Sequence, residues 1–317
     1  MDSLANCPIC DAAVTKVLTT TLRRGTGRVL YCEACDHGFL QPDRVIDMVK
    51  FYAEDYRKEV AHKAQAQATN ARELFDVYSR YQKSRLELMD PLLKSDMEVL
   101  EVGASAGQFL VHIKDRVRLV NAIELDRDCF NFLRDELGVD ADSQVLEKSK
   151  FASNTYDVVC AFQVMEHVEA PGAFLETLKR ATRTGGSVFV EVPNLHDPLL
   201  TVWDVPEYHG FYYHSAHLHY FSEKSLRRAA RSIGYRDDQI TVVHTQDYNL
   251  LNHLHWVMNH GPQADCHVGL SEVSVTGPNL NVASWLTNEL QDLNRRYVEK
   301  LVELGTTSNL MMILRDA

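Results

Sequence analysis

No apolar run in this 317-residue chain reaches the roughly 18 residues at which a helix could cross a bilayer. The opening residues, Met1 to Cys10, lack a basic stretch followed by an apolar one, so no secretory leader is expected. Positive charge is also scarce. The 33 Lys and Arg residues stand against 44 Asp and Glu, a formal net charge of −11. That balance suits a phosphate backbone poorly, and neither nucleic acid nor membrane is expected as a partner. There is no internal repeat and no low-complexity tract, and the 45% hydrophobic content suffices for one large core with a small module beside it.

A disulfide framework is missing too. The cysteines number seven, an odd count, and four of them form two C-x-x-C pairs, which points to a reducing, cytoplasmic compartment and to metal ligation. Cys7-Pro-Ile-Cys10 and Cys32-Glu-Ala-Cys35 are separated by 21 residues. Each pair can form a knuckle that offers two thiolates to one ion, and two knuckles complete a tetrahedral zinc site. Four thiolates leave no open position, so the metal is expected to be structural and His37 is not needed as a ligand. The first 40 residues hold too few apolar groups to fold unaided, and metal binding would supply the folding energy. Basic and acidic residues balance within this module, which gives it no basic stripe. Of the remaining cysteines, Cys160 sits in an apolar run and is expected in the core.

The most informative absence is a glycine. Val99 to Leu110 read VLEVGASAGQFL, and Ala122 to Asp126 read AIELD. An apolar strand, a glycine turn and a helix are followed by a second strand ending on an acid, Glu124, which suits the ribose hydroxyls of a nucleotide-like cofactor. A dinucleotide site asks for G-x-G-x-x-G, but Ser105 and Gln108 occupy the second and third glycine positions. Only Gly103 and Gly107 remain. A ligand without a pyrophosphate tolerates this, and S-adenosylmethionine is such a ligand. Glu101, at the end of the first strand, can order the loop or face the ammonium of the methionine tail. The cofactor residues expected here are Glu101, Gly103, Ala104, Ser105, Gly107, Glu124 and Leu125.

Hydrophobic periodicity sets out the rest. Residues 43–95 read as helical; the family resemblance described below implies that they cap the cofactor, with Tyr52 and Tyr56 as cavity candidates. Strands are expected near 97–102, 118–124, 155–162, 187–192 and 239–245. Helices are expected near 106–115, 128–137, 171–182 and 223–233, and a late helix from Val282 to Leu304 precedes a last strand, Asn309 to Leu314. The alternation implies an α/β fold with a mostly parallel sheet and helices on both faces. Residues 246–281 fall outside it and read as a solvated insertion near the substrate opening, its His253-x-His255 pair belonging to no recognisable metal pattern. The chain thus divides into a zinc module (1–42), the cap (43–95) and an α/β domain (96–317).

With YDVVCAFQVMEHV from Tyr156 to Val168, Gly185-Gly186 and the EVPN ending at Asn194, the sequence resembles the class I S-adenosylmethionine-dependent methyltransferases, in particular the bacterial group acting on sugars and other small molecules. The resemblance covers roughly residues 40 to 317. It implies a Rossmann-like seven-stranded sheet whose last strand inserts antiparallel, and adenine contacts at Leu146 and Glu147. Phe162 and Gln163 would follow beside the cofactor. CEACDHGFL is similar to the second knuckle, C-x-x-C-G-H, that such enzymes often carry.

Five of the fourteen histidines lie between His196 and Ser222, after the fifth strand, where open α/β sheets place substrates. YYHSAHLHYFS resembles the H-L-x-Y/F-F-S signature of sugar methyltransferases, followed by a helix capped by Ser222. A longer form in deoxysugar C-methyltransferases, Y-H-E-H, supplies an acid that is absent here between His214 and His217. The expectation is therefore transfer of a methyl group to a small-molecule hydroxyl, with His217 as general base and His167 and His214 in reserve. The competing readings are C- or N-methylation, a zinc-module RNA methyltransferase and a non-catalytic cofactor binder. The RNA reading lacks an N/D-P-P-Y/F motif, and intact Gly103, Gly107 and Glu124 speak against the last.

Overall fold

The computed structural model describes residues 3–23, 25–43, 51 and 69–315. Its N-terminal module is built from short antiparallel pairs that frame the cysteines. Strands β1 (Ala5–Asn6) and β2 (Ala13–Val14) flank Cys7 and Cys10. Strands β3 (Lys16–Thr19), β4 (Gly27–Cys32) and β5 (His37–Pro42) form a meander whose β4–β5 turn carries Cys32 and Cys35. Asp11 and Asp36, each directly after a knuckle, take left-handed backbone angles of φ 60° and 56°. Aspartate tolerates that region better than most residues, so Asp36 can stand where the resembled knuckle has glycine.

Two short helices follow, α1 (Ala71–Tyr78, capped by Asn70) and α2 (Lys83–Met89). The chain between them breaks without Gly or Pro. The carbonyl of Tyr78 is taken by the Gln82 side chain at 2.9 Å and that of Ser79 by His112 Nε2 at 2.7 Å, so side chains take over the acceptors of a following turn. Tyr52 and Tyr56 lie outside the described residues.

The main domain runs β6 (Glu98–Val102), β7 (Leu119–Ile123), α3 (Arg127–Asp135), β8 (Asp140–Asp142), β9 (Tyr156–Phe162), α4 (Pro171–Arg180) and β10 (Thr182–Pro193). It continues through α5 (Pro198–Thr201), α6 (Pro206–Tyr212), β11 (His219–Tyr220), α7 (Glu223–Ser232), β12 (Ile240–Thr245), α8 (Leu250–Asn259), α9 (His267–Leu270), α10 (Leu280–Leu304) and β13 (Asn309–Arg315). The seven-stranded sheet has the order β12-β13-β10-β9-β6-β7-β8, and only β13 runs antiparallel to its neighbours. Side chains alternate between two cores. Leu100, Val102, Val159, Ala161, Val190 and Met312 face α4 and α7, whereas Val99, Val158, Cys160, Phe189 and Met311 face α2 and α3. Strands buried on both faces explain the unbroken apolar runs, and Cys160 is a core residue as expected.

Two expected elements take a different form. Residues 106–115 are not a regular helix but turns around a 3₁₀ segment, Leu110–His112. Bonds to the third and fourth preceding residues mix there, while Phe109, Leu110 and Ile113 still fill the core. The segment 246–281 is not a solvated loop. It folds into α8 and α9, with Trp256 buried against Tyr208 and Phe211, and His253 bonded through Nδ1 to Tyr297 Oη at 2.6 Å. His255 sits instead beside Asn259, so the two histidines share no ligand position.

The chain excursion after β10 returns to the N-terminal module. Strand β11 pairs antiparallel with β5, His219 opposite Phe39 and Tyr220 opposite Gly38, and completes a four-stranded sheet of order β11-β5-β4-β3. The helix after it begins with the expected Ser222 cap, doubled into a capping box by Ser225.

Candidate active site

The sheet reverses its winding direction between β6 and β9. The loops leaving these two strands open a crevice at their carboxyl ends, the usual ligand position in open α/β sheets. Gly103 follows β6 with φ 78°, and a Cβ there would lie 2.4 Å from Val164 Cγ2 in the loop after β9. The two loops therefore touch because Gly103 has no side chain. Gly107 is needed for a different reason. Its Cβ would meet Leu137 and Leu133 at 2.5 and 2.8 Å, so it serves the packing of α3, and it is absent from the cavity wall. Ser105 and Gln163 hold left-handed angles of φ 48° and 57° in the same two loops. Such strain in non-glycine residues clusters at ligand clamps.

The crevice widens into a cavity of about 1180 Å³. Its wall includes Glu101, Gly103, Ala104, Ser105, Glu124, Leu125, Leu146, Glu147, Phe162 and Gln163, together with His167, His214 and His217. All expected site residues except Gly107 and the zinc cysteines thus line one space. Glu124 shapes its own ledge by accepting the N–H of Ser105 at 2.6 Å and that of Asp126 at 2.7 Å. Glu101 is buried with Oε2 unpartnered. Burial raises its carboxyl to about 8, with nearby Glu124 and Glu191 adding to the shift and Arg85 opposing it. A carboxyl there is mostly protonated at neutral pH.

The histidine end is assembled from two segments. The Met165–His167 turn and the loop before β11 are joined by Leu218 N–H to Glu166 O at 2.8 Å and by His167 Nδ1 to Ala216 O at 2.7 Å. The His217 ring then lies 4.7 Å from that of His167 and 3.8 Å from that of His214. Burial pushes His217 well below the usual imidazole value and His167 to about 4, so both are neutral at physiological pH. Burial also raises Glu166 to about 8.

Other functional residues were not visible in the sequence. Arg85 of α2 clamps the Glu191 carboxylate of β10 through Nε, at 3.1 and 3.2 Å, and through Nη2, and lies over the Phe162 ring at 4.6 Å. Arg23 of the N-terminal module reaches the cavity wall and stacks on Phe211 at 4.4 Å. Asp197, Tyr208, Tyr212 and Tyr248 also line the cavity. None belongs to a spaced motif; only the fold brings them together.

The four-cysteine cluster lies in the module, outside this cavity wall. Cys7 and Cys35 sulfurs are 3.5 Å apart, as are those of Cys10 and Cys32, and all four lie within 4.8 Å of one another. Sulfurs around one tetrahedral zinc with bonds of about 2.3 Å stand roughly 3.8 Å apart, so the set fits. Asp36 ties the module to the domain. Its carboxylate accepts from Tyr31 Oη and His196 Nε2, both at 2.7 Å, and its carbonyl accepts from Ser222 at 2.6 Å. Burial opposes ionisation of Asp36, but the bonds from His196 and Tyr31 prevail and hold it at about 2.

The family model described as a methyltransferase domain matches residues 69–240, over half of the chain, and the chain belongs to that family. It is 28% identical over 102 residues to the ubiquinone biosynthesis O-methyltransferase of Aeromonas salmonicida, a match covering 30% of this chain and 43% of that relative. A SAM-dependent methyltransferase of Thermotoga maritima shares the fold with a TM-score of 0.50 at 15% identity, over 83% of this chain and 98% of the other. Phosphoethanolamine N-methyltransferase 2 of Haemonchus contortus, solved with S-adenosyl-L-methionine, does so with 0.50 at 12%, over 96% and 71%.

The Arg85–Glu191 pair generates a stability prediction. The Arg85 side chain is 19% exposed and that of Glu191 1%. Arg85→Met strands a buried carboxylate and should lower unfolding free energy in urea by about 3–5 kcal/mol. The double variant with Glu191→Gln should recover much of the loss. A single variant as stable as the wild type would mean that the pair does not hold the cap.

Proposed function

We propose that this protein transfers the methyl group of S-adenosylmethionine to a hydroxyl of a small-molecule acceptor. The observation that carries the reading is the shared cavity, whose wall holds both a glycine-and-acid ledge and a neutral histidine cluster. Glu124 would accept hydrogen bonds from the ribose hydroxyls, and the Gly103–Ser105 loop would underlie the methionine tail. Leu146 and Glu147 would flank adenine, with Phe162 and Gln163 nearer the sulfonium. The ammonium of the tail would favour the ionised form of Glu101, removing the mismatch of a buried carboxyl. The cavity has room for a second small ligand beside the cofactor.

Transfer is an in-line displacement. The hydroxyl oxygen forms its bond to the methyl carbon as the carbon–sulfur bond breaks, and the sulfur keeps the electron pair. Much of the rate comes from alignment. The hydroxyl proton goes to His217, which lines the cavity and has a lone pair available because burial keeps it neutral. The missing acid between His214 and His217 favours oxygen over carbon as the acceptor atom. Four aromatic side chains, Tyr208, Phe211, Tyr212 and Tyr248, face the acceptor end, which suits a ring-shaped acceptor such as a sugar or a phenolic metabolite. We assign to Cys7, Cys10, Cys32 and Cys35 one structural zinc ion, which would hold the β4–β5 turn and, through β5, the strand next to the histidines.

Three measurements test these assignments. Calorimetry on Glu124→Ala should find cofactor affinity reduced by roughly 1–3 kcal/mol, and unchanged affinity in a folded variant removes Glu124 from this role. His217→Ala should cut turnover by about 10²-fold or more while S-adenosylmethionine still binds. His217→Gln should be equally poor; near-normal turnover in that variant would make His217 a positioning residue. Elemental analysis should return close to one zinc per chain, lost in Cys32→Ser together with the stability of the module. Folded, metal-free protein with four titratable thiols would sink the zinc assignment.

A further inference from the structure

Glu166 is 1% exposed, and neither of its carboxylate oxygens has a hydrogen-bond partner. The buried Nδ1 of His217 has none either. Leaving such groups unsatisfied costs more than most folds tolerate. One donor atom from each of Glu166, His167 and His217 lies within 4.8 Å of the others, and Glu166 Oε1 is 3.4 Å from His167 Nε2. Two imidazoles that line the cavity, with a carboxylate buried beside them, are the donor set of divalent-metal sites that keep free positions for a ligand. Bonds of about 2.0–2.2 Å put donor atoms roughly 3.0–3.5 Å apart, a separation the Glu166–His167 pair already has. His167 also carries the outer contact typical of a metal-bound histidine. Its Nδ1–H donates to the Ala216 carbonyl at 2.7 Å, which fixes the tautomer and leaves the Nε2 lone pair facing Glu166.

We propose that Glu166, His167 and His217 bind a divalent transition-metal ion at the acceptor end of the cavity, separate from the four-cysteine site. The inference rests on the reading of that end as the acceptor pocket and refines it. Ionised Glu166 supplies one negative charge to the ion, and the open coordination positions face the space where the acceptor oxygen would lie. With the ion in place, His217 would be a ligand and not the proton acceptor; the ion would polarise the hydroxyl, and its proton would pass to His214, which also lines the cavity with its ring 3.8 Å from that of His217. Both descriptions expect a poor His217→Ala enzyme; they separate on metal dependence.

Cobalt(II) is a suitable probe. Full-length protein with its four-cysteine site filled by zinc is freed of weaker ions with a mild chelator, then titrated by calorimetry and visible absorption. One equivalent of Co²⁺ should bind, with d–d bands but without the intense charge transfer of a cobalt–thiolate centre. Glu166→Gln and His217→Ala should each weaken that binding at least about tenfold, while zinc content and S-adenosylmethionine affinity stay at wild-type values. Absence of the extra equivalent in the wild type overturns the proposal, as does wild-type affinity in both variants. S-adenosylmethionine binding, measured on the same samples, reports separately on the methyltransferase reading: its absence would sink that reading whatever the cobalt titration returns.

Discussion

The pairing of β11 with β5 is the constraint on which the acceptor side of the cavity depends. Two residues of a long excursion after β10 complete a sheet that begins in the cysteine module. A two-residue strand cannot persist alone. It is held by its partner, by the His37 Nε2–His219 Nδ1 contact at 3.1 Å and by the Asp36 bonds to His196 and Ser222. Because His214 and His217 lie just ahead of β11, their positions follow from that pairing. The module is thus more than an appendage: its fold sets where the histidines stand, and its Arg23 forms part of the cavity wall.

Electrostatics at the cavity follow from burial. Glu101, Glu166, Asp197 and Asp247 are all raised above the usual carboxylate range, chiefly because their charged forms lose water. Arg85 is committed to Glu191 and offsets the rest only at a distance. Such a cavity favours cationic ligands, since each buried carboxyl gains when a positive group arrives. A sulfonium cofactor with an ammonium tail fits that preference at one end, and a divalent ion fits it at the other.

Much of the architecture was legible because it depends on local pattern. Strands β9 and β13 announced themselves through the apolar runs Val158 to Phe162 and Leu310 to Leu314, as expected of a sheet covered on both faces. The Ser222 cap and the two cysteine knuckles were readable for the same reason, since their chemistry resides in neighbouring residues. The misjudged elements were those in which distant groups intervene. Trp256 and His253 find buried partners that turn an expected loop into helices.

The sequence by itself determined the fold class, the order of the elements, the glycine turn with its acid at Glu124 and the four-sulfur set. Each of these is set by residue type and short spacing. Only the tertiary structure decided that Arg85 meets Glu191 across 106 positions, that His37 meets His219 across 182, and that Glu166 joins His167 and His217. The physical reason is one of range. Backbone propensity and side-chain alternation act over a few residues, whereas a buried charge or an imidazole pair is specified by whatever the packed chain brings within a few ångströms.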